Sequence, residues 1–177
     1  MGTNIILIGF MGTGKTTVGK LLAKTLQYPF IDLDEKIETD NGMTIPKIFE
    51  ERGESYFRAR EKDAVREIRA LECHVISTGG GTPVDAENAA MLREAGFVVS
   101  LHADIDTIAQ RTSAKGERPV LDGAEEESRR KAVERVLASR KEAYSRADIC
   151  IDTAAMRPRE AVHEIICALK EKRSAHA

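Results

Sequence analysis

The pattern begins with an apolar run, Asn4-Ile5-Ile6-Leu7-Ile8, of the kind found in a strand buried on both faces. A glycine-rich segment follows, and then the period changes. Val18, Leu21, Leu22 and Leu26 recur at helical spacing within Thr17–Leu26, which predicts an amphipathic helix. Pro29 to Asp34 reads as a short second strand ending in acidic residues, and Glu35 to Asp40 as a short helix closed by Asn41-Gly42. Thr44 is placed to cap the next helix, and Gly53 to end it after Phe49 and Arg52. A longer helix dense in Arg and Glu is expected from Glu54 to about Leu71, then a third strand from Cys73 to Thr78 ending at Gly79-Gly80-Gly81.

The alternation continues to the end of the chain. Asp85 caps a helix through Ala95, Gly96 stops it, and Phe97 to Leu101 is a fourth strand. Asp104 caps a helix from Ile105 to about Thr112. Ser113 to Ala124 has no clear period and contains Gly116, Pro119 and Gly123, so a mobile loop is expected. A helix from about Glu125 to Arg146, a fifth strand from Ala147 to Ile151 and a final helix after Pro158 complete the pattern. Val162, Ile165, Ile166 and Leu169 form its inner face, and the tail from Lys172 is expected to fray. Strands alternating with helices specify an α/β fold with a five-stranded parallel sheet covered on both faces. Ligands of such sheets bind beyond the carboxyl ends of the strands, where the acidic pair and the glycine runs fall.

Composition narrows the partners. The chain has 177 residues, the length of one domain, with 42% hydrophobic and 32% charged residues, ordinary for a soluble enzyme. A formal net charge of −2 argues against general nucleic-acid or anionic-membrane binding. No apolar run is long enough to span a membrane, and no secretory or transit segment precedes the first strand. Cys73, Cys150 and Cys167 contain no C-x-x-C pair and read as reduced thiols. The four histidines show no metal-ligand spacing.

The chemistry centres on Gly9-Phe10-Met11-Gly12-Thr13-Gly14-Lys15-Thr16, which matches the phosphate-binding P-loop. Its glycines let backbone amides form a nest for phosphate oxygens. Lys15 is placed for the β- and γ-phosphates, the Thr16 hydroxyl for Mg²⁺, and the following helix turns its positive end to the same anion. A glycine turn that binds nothing is the plain alternative; the strand before and the helix after weigh against it. Asp32 and Asp34 would face one side if their segment stays extended, near the metal or the attacking group. They would equally serve as helix N-terminal acids. Arg58 and Glu61 share a helix face, so the carboxylate can orient the arginine toward an anionic substrate, though an exposed ion pair of little worth is the commoner case; Arg60, Arg66 and Arg69 read as exposed ion pairs. Three consecutive glycines suit close approach of backbone to a ligand, or a tight turn. Arg118-Pro119 lies in the expected loop; an arginine on a closing lid can neutralise a phosphoryl group, but taken alone this residue reads as a solvated loop arginine. Arg140 continues the inward stripe of Val133, Val136 and Leu137, and an inward arginine needs an anion. Arg146 lies past that stripe and reads as solvated.

Taken in order, Gly9 to Thr16, Asp32-Leu33-Asp34, Phe57-Arg58-x-x-Glu61, Thr78-Gly79-Gly80-Gly81, Arg118-Pro119 and Arg140-x-x-x-Tyr144 resemble the shikimate kinase family over nearly the whole chain. The resemblance implies a three-layer P-loop kinase fold like that of nucleoside monophosphate kinases, with residues 1–177 as one domain, an acceptor-binding region at about 32–61 and a lid at 113–124. It implies transfer of the ATP γ-phosphoryl group to the 3-hydroxyl of shikimate in aromatic amino-acid biosynthesis, by a cytoplasmic monomer. By the same resemblance Gly12, Thr13, Gly14, Lys15, Thr16 and Thr17 hold the nucleotide phosphates, and Thr16 and Asp32 support Mg²⁺. Asp34 bonds the substrate hydroxyls and is a candidate proton acceptor. Arg58, Arg140 and Gly79 to Gly81 hold shikimate. Arg118 closes over the phosphates, and Arg111 with Asp152-Thr153 flanks adenine. Phe49 and Phe57 are candidates for the acceptor pocket or for the core. Val120 stands where leucine often follows Arg-Pro.

Two rivals remain at this level. One is another small-molecule P-loop kinase, acting on a nucleoside monophosphate or a sugar acid. The other is a nucleotide-dependent switch or remodelling protein. A guanine-reading Lys-x-Asp is absent from the sequence, and Phe30 to Glu35 comes too early for a remodelling ATPase's acidic strand.

Overall fold

The computed structural model describes residues 3–113 and 126–175. Five strands, β1 (Asn4–Ile8), β2 (Phe30–Asp32), β3 (Val75–Ser77), β4 (Gly96–His102) and β5 (Ile149–Asp152), form one sheet in the order β2-β3-β1-β4-β5. Every pairing is parallel. Among the described residues seven helices cover it: α1 (Lys15–Leu26), α2 (Leu33–Asn41), α3 (Ile45–Ile68), α4 (Ala86–Ala95), α5 (Ile105–Ser113), α6 (Glu126–Ser145) and α7 (Pro158–Ala175). The expected three-layer arrangement is therefore present.

The side-chain alternation of β1 builds the layers. Ile6 and Ile8 join Ile76 and Val98 against α2, α3, α4 and α6, with Leu33, Val65, Leu92 and Val133 among the buried contacts. Ile5 and Leu7 point the other way, with Val99 and Leu101, against Val18 and Leu22 of α1 and Val162 and Ile165 of α7. At the amino end of the sheet Asn4 acts as a staple. Its amide donates to Leu71 O (2.6 Å) and Ala95 O (3.0 Å), and its oxygen accepts from His74 N (3.0 Å). One buried side chain thus ties the end of the α3 segment, the end of α4 and the approach to β3.

Several boundaries differ from the sequence pattern. The second strand stops at Asp32, because the Asp32 carboxylate caps α2 by accepting from Asp34 N at 3.1 Å. Asp34 therefore lies on a helix, and the pair does not face one side of an extended strand. Gly53 breaks the helix as expected, with φ +80 and ψ 168, but the chain resumes at once and α3 runs on in a new direction. Thr44 makes no side-chain cap; Glu38 accepts from Ile45 N instead, at 2.8 Å. β3 is shorter than expected, and a 3₁₀ turn at Thr82–Val84 follows the glycines. The tail is helical past Lys172. α7 continues to Ala175, held where the Lys172 ammonium meets Asp148 Oδ1 (2.6 Å) and lies over the Phe97 ring. The expected loop at 113–124 lies outside the described residues beyond Ser113.

Gly9 shows how tightly β1 hands over to the loop. Its φ is +139, and a Cβ there would collide with the Leu101 carbonyl oxygen. Gly9→Ala is expected to destabilise the protein by about 2–4 kcal/mol through strain and backbone collision. Urea unfolding reads this as a lower midpoint at unchanged slope; an unchanged midpoint would show that the loop relaxes freely.

Candidate active site

The glycine loop turns from β1 into α1 through residues that require unusual backbone. Gly12 has φ +78, and Gly14, which caps α1 without a side chain, has φ +89. The first turn of α1 carries no acid, so its positive end stays available to an anion. Thr13 is buried, and its hydroxyl donates to Phe10 O at 2.8 Å, holding the loop closed on itself. The Lys15 ammonium donates to Gly9 O (2.8 Å) and Phe10 O (3.0 Å). Thr17 is exposed on the first turn.

Thr16 Oγ1 donates to Asp32 Oδ2 at 3.0 Å. The pair joins the start of α1 to the end of β2. A hydroxyl and a carboxylate oxygen side by side, next to a phosphate nest, are the hard-oxygen donors that suit Mg²⁺. The residues present fit that ion.

The triple glycine follows β3, the neighbour of β1. A Cβ on Gly79 would stand 2.7 Å from Asp34 Oδ1, one on Gly80 3.1 Å from Arg140 Nη1, and one on Gly81 2.9 Å from Arg58 Nη1. Three side chains from α2, α6 and α3 thus converge on one bare turn. Gly80 also lies close to the Gly9 carbonyl, which accepts from Lys15. The phosphate end and the glycine turn therefore adjoin.

The two arginines are held differently. Arg58 donates to Glu61 Oε2 (2.9 Å) and to Glu54 Oε1 (3.1 Å). Burial works against its charge, but Glu61 and Glu54 outweigh that and raise its pKa above the usual arginine value. Glu61 is only 3% exposed and accepts a second hydrogen bond from Thr82 Oγ1 at 2.7 Å, a partner that sequence spacing does not reveal. Arg140 lies over the Phe10 ring, 5.8 Å from its centroid. No carboxylate among the described residues lies within ion-pair distance of it. The inward arginine expected from the α6 stripe is thus present, facing the glycine turn. Phe57 is buried and Phe49 half-buried, with ring centroids 4.8 Å apart; both belong to the core layer beneath α3.

On the other flank, Arg111 donates to Gly12 O (3.2 Å) and Thr153 O (3.0 Å). The buried Thr153 hydroxyl lies 2.9 Å from both Thr13 O and His102 O, so it braces the glycine loop against β4. Asp152 is exposed and accepts from Ala154 N. Burial lowers the His102 pKa against the pull of Asp152. Arg60, Arg66 and Arg69 form exposed ion pairs, as does Arg146. Arg118 lies outside the described residues.

Comparison with known proteins agrees with this geometry. The family model for shikimate kinase matches residues 11–170. The shikimate kinase of Persephonella marina is 42% identical over 163 residues, covering 92% of this chain and 96% of that protein. That of Geobacter sulfurreducens is 42% identical over 96% of this chain and 92% of its own. Among solved structures, shikimate kinase from Acinetobacter baumannii in complex with shikimate superposes with a TM-score of 0.90 at 35% identity, covering 97% of this chain and 95% of that one. A gluconokinase from Sinorhizobium meliloti, at 20% identity and a TM-score of 0.61, shares the fold. This chain is a kinase and belongs to the shikimate kinase family.

Proposed function

We propose that the crevice beside the triple glycine carries transfer of the ATP γ-phosphoryl group to the 3-hydroxyl of shikimate, giving shikimate 3-phosphate for chorismate and aromatic amino-acid biosynthesis. One observation supports this reading above the others: Asp34, Arg140 and Arg58 each lie against a different glycine of one turn. Two guanidinium groups and a carboxylate around bare backbone suit a small hydroxylated acid. The arginines take its carboxylate and Asp34 its hydroxyls.

The remaining roles follow from the same arrangement and from the family. Lys15 and the amides of Gly12, Thr13, Gly14, Thr16 and Thr17 bind phosphate oxygens. Thr16 would ligate Mg²⁺ with Asp32 in support, and the bound ion would supply charge stabilisation to the phosphates. Arg118 adds a second cation there. Arg111 and the Asp152-Thr153 loop flank adenine. Asp34 orients the 3-hydroxyl and accepts its proton as the new O–P bond forms and ADP leaves. Residues 1–177 work as one domain, with 32–61 on the acceptor side and 113–124 as lid. The enzyme acts as a cytoplasmic monomer without nucleic-acid or membrane partners. A net charge of −2 offers polyanions no general attraction, and no helix among the described residues is long and apolar enough to cross a membrane.

The deciding experiment is ADP release with shikimate, with a panel of nucleoside monophosphates and sugar acids, and with no acceptor. Release that depends on shikimate is expected. Equal release without acceptor, or preference for another acceptor, would overturn the assignment. Within it, Asp34→Asn keeps the shape and removes the charge. A loose transition state needs modest help from a base, so turnover is expected to fall by about 10²-fold, the low end for acid–base groups. Shikimate binding should weaken less. Unchanged turnover would remove both roles from Asp34.

A further inference from the structure

Tyr144 lies one helical turn beyond Arg140 on α6, and the roles above leave it unused. It is 2% exposed and packs in the core layer with Phe10 and Val133. A buried phenol needs a polar partner, and this one donates to Gly80 O at 2.7 Å. Burial raises its pKa above the ordinary tyrosine value, while the charge of Arg140 pulls the other way. The phenol is therefore protonated at neutral pH. Its single proton goes to Gly80, and a Cβ on Gly80 would stand 3.6 Å from this hydroxyl and 3.1 Å from Arg140 Nη1, so both side chains converge on one glycine. The His102 ring meets the Tyr144 ring edge-on, centroids 6.3 Å apart at 80°, and is itself 2.9 Å from Ser100 Oγ. These contacts hold the ring in place.

We propose that Tyr144 is a positioning residue for the acceptor: its hydroxyl fixes the Gly80 carbonyl, so that the glycine turn meets Arg140 and the substrate carboxylate in one fixed arrangement. This rests on the acceptor reading given above. Gly80 sits at the middle of the turn, and a Cβ there would stand 3.1 Å from Arg140 Nη1. Without the hydroxyl, the Gly80 carbonyl loses a buried donor and the turn that faces Arg140 loses its anchor. The nucleotide side has its own brace in Thr153 and Arg111, so the effect is confined to the acceptor.

Tyr144→Phe keeps the ring and the core volume. It is expected to raise KM and Kd for shikimate roughly tenfold, the effect of one buried hydrogen bond to a charged network. KM for ATP should change little. In an Arg140→Ala background the same substitution should alter shikimate Kd much less, because its partner is already gone. An unchanged shikimate KM would overturn the proposal. So would a parallel rise in both KM values, a full loss that persists without Arg140, or a Tyr144→Phe protein that does not fold, since the hydroxyl would then be structural. If the unaltered enzyme releases no ADP with shikimate, the acceptor reading itself fails. If it does and Tyr144→Phe matches it, only the role of Tyr144 fails.

Discussion

Arg140→Ala is expected to lower kcat/KM for shikimate by roughly 30- to 4,000-fold while leaving ATP binding nearly unchanged. The range is the cost of truncating one partner of a desolvated, hydrogen-bonded charge pair, about 2–5 kcal/mol. Among the described residues Arg140 has no carboxylate within ion-pair distance, so its charge is available to the acid group of the substrate. Arg58→Ala should fall in the same range, with a complication. Its removal strips the buried Glu61 of a cation and leaves Thr82 as the remaining partner described, so a loss of melting temperature should accompany the loss of activity. Arg140→Lys should not rescue, because a point charge lacks the planar fork that meets a carboxylate with two parallel bonds. Shikimate methyl ester separates binding from chemistry. It should be a poor substrate of the unaltered enzyme and should lose much less than shikimate does when either arginine is removed. An ester that works as well as the acid, or variants that impair ATP binding alone, would refute the anion clamp.

Lys15→Met is expected to reduce turnover by about 10²–10³-fold, the usual loss when one fixed electrostatic donor to a transferring group is removed. The ammonium rests on the carbonyls of Gly9 and Phe10, at the junction of phosphate loop and glycine turn. In the proposed reaction this position brings its charge to the transferring group. The substitution keeps most of the stem, and the fold around it rests on apolar layers that Lys15 does not join. A melting temperature close to that of the unaltered protein should therefore accompany the loss. Near-normal steady-state turnover would refute the phosphate-loop assignment.

Local signals made the first half of this site legible. An apolar strand, a glycine run and an amphipathic helix are neighbours in sequence, and each constrains the next. The layer assignment was legible for the same reason, since Val18, Leu22, Val162 and Ile165 show their inner faces through spacing alone. Asp34 was legible as a candidate but not as a helical residue. The choice between strand and cap depended on where the Asp32 carboxylate would point, and two residues of spacing leave both open. Thr44 makes no side-chain cap, and the Ile45 amide finds Glu38, seven residues before it, a contact that local spacing does not announce. The contacts Glu61–Thr82 and Tyr144–Gly80 cross 21 and 64 residues and leave no periodic trace. The helical course of the tail was hard to read because the partners of Lys172, Asp148 and Phe97, lie far from it in sequence.

The Asn4 staple has a mechanical consequence. α3 resembles a beam built in at one end, its root pinned through Leu71 to the amino edge of the central strand. Arg58 stands ten residues from Ile68, a lever arm of about 15 Å at 1.5 Å per residue, and it lies on the root side of the break at Gly53. Arg58 and Glu61 thus share the rooted segment, while the stretch from Ile45 to Arg52 lies beyond the break and has its own anchors in Glu38 and the buried Ile48. A change of angle at Gly53 re-aims that outer stretch and leaves the Arg58–Glu61 pair on the segment fixed to the sheet.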